Sequence, residues 1–336
     1  MKLRKLASFL DKSHLRPLLA ACMPARGIVG LNYHRIGDGS RSELDRGLWS
    51  ASEEGFDQQL AWLKLNSDVI SPAEIDLARK DSSGRHVLIT FDDGYKDNYD
   101  CAVPTLRRHG LTATFFIATG FIDDPRLAWW DEIASQIRRT DRDEIDLPQW
   151  LPQPQRLVVG QREAVIRTML RKFKSLPGDQ AKRFLADLRD ATQASPPSLH
   201  HEDLWMSWDM LREMDAAGMT IGGHTVNHIV LSGSSAAEQW TEISTCAARI
   251  ETEIGKRMDY FSYPVGNRNS FNQDSIECLR KLGVAYAFSY YGGFAGINAN
   301  RYDMPRVAIE PYIDRGWFRA IVELPRLFGR PQDAIA

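Results

Sequence analysis

The sequence predicts an α/β fold built on a mainly parallel sheet or barrel. Seven short apolar runs, GIVGLNYH, HVLITFDDG, TATFFIATG, MTIGGHT, DYFSYPVG, AYAFSY and MPRVAIE, recur along the chain, with segments of helical period between them. Alternation of this kind places helices on the faces of a parallel sheet, because each parallel crossover needs a connection of helix length. Several runs also end in a titratable side chain, and strand ends are where α/β folds collect their reactive groups.

The N-terminal residues 1–26 read as a basic amphipathic helix, with Leu3, Leu6, Phe9 and Leu10 on one side. Such a helix packs on its own domain or lies on an anionic bilayer surface. Lys12, Arg16 and Arg26 interrupt the apolar run and CMPARG is a poor cleavage site, so the mature chain is expected to begin at Met1. No apolar run of about 18 residues is present to span a bilayer. A cytoplasmic location, with peripheral contact at the membrane face, is expected.

Between Ser52 and Leu65, Phe56, Leu60 and Leu63 repeat at helical spacing. Ser235 and Glu238 form a capping box ahead of Trp240, Ile243, Ala247, Ile250 and Ile254. Residues 123–203 depart from the alternation. They are rich in Arg, Gln and Pro, and QREAVIRTMLRKFKSL and DQAKRFLADLRDAT are helical by period. The segment reads as a helical insertion that divides a barrel formed by residues 27–122 and 204–312, with residues 313–336 as a C-terminal helix and tail.

At 336 residues and 43% hydrophobic, the chain can bury a large core. Its 42 basic and 44 acidic residues produce no field that would draw nucleic acid. Cys22, Cys101, Cys246 and Cys278 are widely spaced without a C-x-x-C pair, which excludes a zinc ribbon or a thioredoxin-type motif and suggests reduced, mostly buried thiols.

HVLITFDDGYKDN delivers Asp92 and Asp93 to the end of a strand. Adjacent residues of an extended segment point oppositely, so the two acids share a cavity only if the chain turns, and Gly94 permits the turn. In IGGHTVNH, His224 and His228 are four residues apart and would share a face if the segment turned helically. Each feature alone also suits a solvated turn or a chance pair. Combined, two imidazoles and one carboxylate make a three-ligand set with positions open for water, the catalytic pattern of zinc or a similar metal, and the spare aspartate would be a base.

TFDDGY, then HTVNH, then FSYPVG resembles the polysaccharide deacetylase family, the carbohydrate esterases with a NodB-type domain. The likeness spans most of residues 27–310 outside the insertion. It implies a distorted (β/α) barrel and metal-dependent removal of N-acetyl, or occasionally O-acetyl, groups from sugars. It further implies Asp92 as general base, and Asp93, His224 and His228 as ligands of a divalent metal, zinc first, with Co2+, Ni2+ or Mn2+ as substitutes. The backbone N–H of Tyr95 would help bind the oxyanion, and Thr225 fills a Ser/Thr position that steadies the histidine loop.

Two departures from the family pattern stand out. The family's usual acid is a histidine late in the domain, yet no histidine follows His228. His34, closing the first apolar run, resembles the YH motif of a circularly permuted subgroup that deacetylates poly-N-acetylglucosamine, where this histidine is the acid. Because the first and last strands of a barrel are neighbours, His34 would reach the same rim. In FSYPVG, Ser262 and Val265 stand where the family often has Arg and an aromatic residue. Arg306 is the candidate replacement for that Arg as partner of Asp92, and it is also counted with Trp130, Asp131, Tyr263 and Pro264 among candidate substrate contacts. His14, His86, His109, His200 and His201 read as surface or loop residues. The expected substrate is an N-acetylated oligo- or polysaccharide, part of an exopolysaccharide or lipid-linked glycan. A deformylase or deacylase of another lipid-linked amino sugar and an inactive glycan-binding protein are the alternatives.

Overall fold

The computed structural model describes residues 2–13, 15–23, 27–81, 84–158, 160–197 and 199–329. His14 and the tail beyond residue 329 lie outside the described residues.

All seven apolar runs form strands: β1 (Gly27–Tyr33), β2 (His86–Phe91), β3 (Thr114–Ile117), β4 (Thr220–Gly223), β5 (Tyr260–Ser262), β6 (Tyr286–Phe288) and β7 (Arg306–Ala308). With two-residue strands at Asp68–Val69 and Ala295–Gly296 they make one nine-stranded sheet. β1 runs parallel to β2 over six residue pairs, from Ile28 with His86 to Tyr33 with Phe91, and β2 to β6 follow side by side in chain order, also parallel. β7 returns to β1, pairing Gly30 with Arg306. A single parallel bridge between Phe288 and Met304 joins β6 to the approach of β7, so the sheet curls into a ring. This is a distorted (β/α) barrel, and its closure makes the first and last strands neighbours.

Strand periodicity sorts the side chains. Ile28, Leu88, Phe116, Tyr286, Phe288 and Met304 pack together on the inner face. Val29, Leu31, Tyr33, Val87, Ile89, Phe91 and Phe115 pack outward against Phe56, Leu60 and Leu63 of α2 (Glu53–Asn66), whose N-cap is Ser52. Towards the C-terminal ends of β1, β2 and β5 the inner positions become polar, with Asn32, Thr90, Asp92 and Ser262 buried, and Arg306, the first residue of β7, is buried beside them.

The 123–203 segment contributes α3 (Trp129–Arg139), α4 (Arg162–Lys174) and α5 (Gly178–Thr192). Their apolar faces share a core, which joins the barrel through Tyr95, Phe121 and Trp205. The Ser235–Glu238 capping box opens α6 (Ala236–Ile254). Trp240 is exposed, contrary to the periodic reading, because the buried Gln239 takes the inward position and accepts a hydrogen bond from Ser275. His86 is also buried, at the start of β2, rather than in a loop or at the surface. Cys246 and Cys278 are buried and Cys22 is exposed.

The expected N-terminal helix is broken in two, α1 (Lys2–Lys12) and a second helix Arg16–Cys22. Ala7 and Leu10 are buried in the main core, and Arg16 forms ion pairs with Asp11 and with Glu323 of α7 (Arg315–Glu323). Leu6 and Phe9 are exposed, so the expected apolar side divides between the core and solvent. Among the described residues no helix is long and apolar enough to cross a membrane.

Gly30 holds β1 and β7 close, since a Cβ there would lie 2.8 Å from Arg306 Cγ. Gly30→Val should therefore lower the unfolding free energy by about 1–3 kcal/mol in urea titration, the usual cost of overpacking. A loss below about 0.5 kcal/mol would show that the contact is not restrictive.

Candidate active site

β2 ends at Phe91, and the amide of Asp92 still donates to Tyr33 O at 3.1 Å as though the strand continued. The chain then turns at Asp93, with φ of 79°, and at Gly94, with φ of 98°. The turn thus begins one residue before the glycine, in a left-handed conformation that costs a non-glycine residue energy. This change of hand brings Asp92 and Asp93 to one cavity. Thr225, His228 and Val265 also have positive φ, so unfavourable backbone is concentrated around this rim.

His224 and His228 do not share a helical face. They come together in an irregular loop after β4, with ring centroids 4.7 Å apart. Glu242 of α6 holds that loop, accepting from the amides of Val226 (3.0 Å) and Asn227 (2.8 Å). Trp129 Nε1 donates to His228 O at 3.3 Å. Thr225 is buried, and its carbonyl accepts from the Thr119 amide.

Asp93 Oδ1 lies 3.5 Å from His224 Nε2 and 3.4 Å from His228 Nε2. That oxygen is buried without a hydrogen-bond partner, an expensive arrangement unless a cation sits there. The ligating atoms of the three residues all lie within 4.8 Å of one another. His224 Nδ1 donates to Ser262 O at 2.7 Å, which leaves Nε2 as the free lone pair. Burial, with the neighbouring His224 adding to it, pulls the His228 pKa down to about 3, so this imidazole stays neutral as a metal ligand must. The set fits a divalent metal ion.

Asp92 faces a different partner. Arg306 Nη1 donates to Asp92 Oδ1 and Nη2 to Oδ2, both at 2.8 Å, a bidentate pair with the guanidinium fully buried. The same guanidinium reaches Asn32, Thr90, Ser262 and Ser289 O. Burial alone would raise the Asp92 carboxyl, but Arg306 and then His224 outweigh it and hold Asp92 well below the usual carboxylate range. Arg306 is therefore a partner of Asp92 beneath the cavity, not a wall of it.

A cavity of about 270 Å³ is lined by His34, Asp92, Asp93, His224, His228, Trp130 and Tyr263. The His34 main chain is held by its amide to Ser50 Oγ (3.0 Å) and by Asn98 Nδ2 to its carbonyl (2.7 Å). Trp130 packs its ring 4.4 Å from His228 and donates to Tyr95 OH at 2.7 Å. Asp131 is fully buried and off this cavity. It accepts from Tyr95 OH and from the Asp45 amide, and burial pushes its pKa up to about 7 despite Arg35. Pro264 is buried and is not a cavity wall either.

Residues with no signal in any local motif complete the walls: Asp45, Tyr290, Glu310, and Arg167 and Lys174 of α4. Tyr290 packs edge-on to His34 at 5.4 Å and donates to Glu310 at 3.0 Å. Burial raises the Glu310 carboxyl, opposed first by His34.

The polysaccharide deacetylase family model matches residues 79–149 and 177–287, more than half of the chain. Asp92, Asp93, His224 and His228 fall inside the matched segments, whereas His34, Arg306 and Glu310 fall outside. A putative polysaccharide deacetylase, YxkH of Bacillus subtilis, is 22% identical over 297 residues, covering 87% of this chain and 75% of that protein. The poly-beta-1,6-N-acetyl-D-glucosamine N-deacetylase of Escherichia coli O157:H7 is 28% identical over 123 residues, 35% of this chain and only 18% of that protein. The Streptococcus pyogenes deacetylase PplD, solved in complex with acetate, shares the fold with a TM-score of 0.57 at 18% identity, over 91% of this chain and 100% of that one.

Removing Arg306 should expose the cost of the buried carboxylate. Arg306→Met should destabilise the chain by about 3–5 kcal/mol at pH 7 in denaturant titration. In the wild type the depressed Asp92 pKa contributes stability above the unfolded value near 3.9, lost as pH falls through the folded one. In the variant the largest force opposing burial is gone and the carboxyl is raised, so the gap between the proteins should narrow as pH falls. A gap that is small at pH 7 or widens in acid would contradict the pairing.

Proposed function

The chain belongs to the polysaccharide deacetylase family and is a hydrolase of that class, and from that premise we propose that it removes N-acetyl groups from sugar residues of a glycan, releasing acetate. The observation that carries the reading is the meeting of Asp92, Asp93, His224, His228 and His34 on one cavity, although they come from three separate parts of the chain. The name of the Escherichia coli relative supports N-acetylglucosamine as the sugar.

Asp93, His224 and His228 would hold the divalent metal, for which two imidazoles and a carboxylate favour zinc. Such an ion, when bound, polarises the acetyl carbonyl and acidifies water. Asp92, kept ionised by Arg306, accepts the proton of the attacking water. The Tyr95 N–H supports the charge that develops on the acetyl oxygen. His34 protonates the nitrogen as the C–N bond breaks, giving acetate and a free amine, because an amine leaves poorly as its anion. Trp130 and Tyr263 wall the cavity around the sugar. At the N-terminus, exposed Leu6, Phe9, Leu15 and Leu18 beside Lys5 and Lys12 support contact with an anionic bilayer surface.

Acetate release from N-acetylglucosamine oligomers and metal content by elemental analysis test these roles together. Asp93→Ala should lose both metal and activity. Asp92→Asn and His34→Ala should keep the metal and lose roughly 10²–10⁴-fold in kcat, the range for a general base or acid. Full activity in either of the last two would overturn the mechanism.

A further inference from the structure

A second and larger cavity, of about 710 Å³, lies beside the first, and Trp129 and His228 form walls of both. Residues of α4 and α5 line one side of it, and the His228 loop and α6 the other. Its volume suits a ligand of considerable size.

Most polar side chains on its walls are already engaged; the exceptions are Lys182, with only a 3.9 Å pair to Asp179, Ser234 Oγ and the unpartnered Nδ1 of His228. Glu242 accepts from Val226 and Asn227, Glu132 pairs with Arg189, and Glu238 accepts from Ser235. Arg126 donates to the carbonyls of Gly120 and Asp124. Between them lie Phe121, Leu127, Phe173, Leu176, Leu185 and Ile229. A sugar would need a fuller set of unengaged donors and acceptors for its several hydroxyls than these three residues offer, whereas an aliphatic chain needs only apolar surface to cover. Trp129 is the partition between the cavities, stacked on Phe173 with ring centroids 4.2 Å apart.

We propose that this cavity takes the aliphatic chain of the substrate, so that the enzyme acts on an N-acetylated sugar carrying an alkyl or polyprenyl tail. Sharing of Trp129 and His228 by the two cavities is what ties the tail to the same molecule as the sugar. The assignment of the sugar end rests on the deacetylase reading above.

Octyl and methyl glycosides of N-acetylglucosamine test the proposal, with the octyl compound kept below its micelle concentration. The octyl glycoside should show kcat/KM at least tenfold above the methyl glycoside. Ala181→Trp, which fills the cavity from a buried position on α5, should abolish that difference and leave the rate on the methyl glycoside unchanged. Leu185→Trp, on the same wall, serves if the first variant does not fold. Equal kcat/KM for the two glycosides in the wild type would overturn the proposal. If neither glycoside releases acetate, the deacetylase reading has failed, and calorimetric binding of octyl glucoside decides the cavity separately. Binding by the wild type that Ala181→Trp removes supports the tail site, and no binding, or equal binding by both, overturns it.

Discussion

A guanidinium with no exposed surface sits inside the barrel, and the site is built around it. Arg306 could not be buried alone, because removing an unpaired charge from water costs several kcal/mol. Its partners come from β1, the end of β2, β5 and the loop after β6, so the polar layer exists only when the ring of strands has closed. Closure in turn needs Gly30, whose missing side chain admits Arg306. The ion pair leaves Asp92 ionised and fixed in orientation, while its neighbour Asp93 remains free to face the two histidines. Two adjacent carboxylates thereby acquire different electrostatic environments, one against a fixed cation and one against the two imidazoles with which it could hold a metal ion.

Separating them required strained backbone. Asp93 takes a positive φ that any glycine would adopt more cheaply, as do Thr225 and His228 on the opposite loop. Such strain persists where surrounding contacts over-determine it, and here Glu242, Trp129 and the Thr119 amide hold the histidine loop from outside. The 123–203 segment therefore does more than pack on the barrel: its first helix carries both the Trp129 contact and the Trp130 wall.

Much of this was legible in the residues. Seven apolar runs became seven strands because period-two burial is a local property, and the deacetylase family likeness rested on motifs that stay contiguous in the chain. The position of His34 could be argued from barrel closure together with the likeness to the YH motif. What failed locally was conformation: HTVNH has helical spacing but lies in a loop held by distant Glu242, and the turn after β2 starts at Asp93 instead of Gly94. Asp131 reads as a sugar contact by residue type, yet tertiary packing spends it on Tyr95 and Asp45. Glu310, Tyr290 and Lys174 reach the cavity from elements far away in sequence, and no spacing rule would have joined them. The second cavity was equally invisible, since it lies between α4 and α5 on one side and the His228 loop and α6 on the other.

The division of labour between Asp92 and Asp93 is the central claim, and anomalous diffraction from crystals soaked in zinc tests it most directly. A single strong peak within bonding distance of Asp93, His224 and His228, about 2.0–2.2 Å from each ligand atom, with Asp92 still paired to Arg306, is the predicted result. A peak coordinated by Asp92, or an Asp92 released from Arg306, would contradict it.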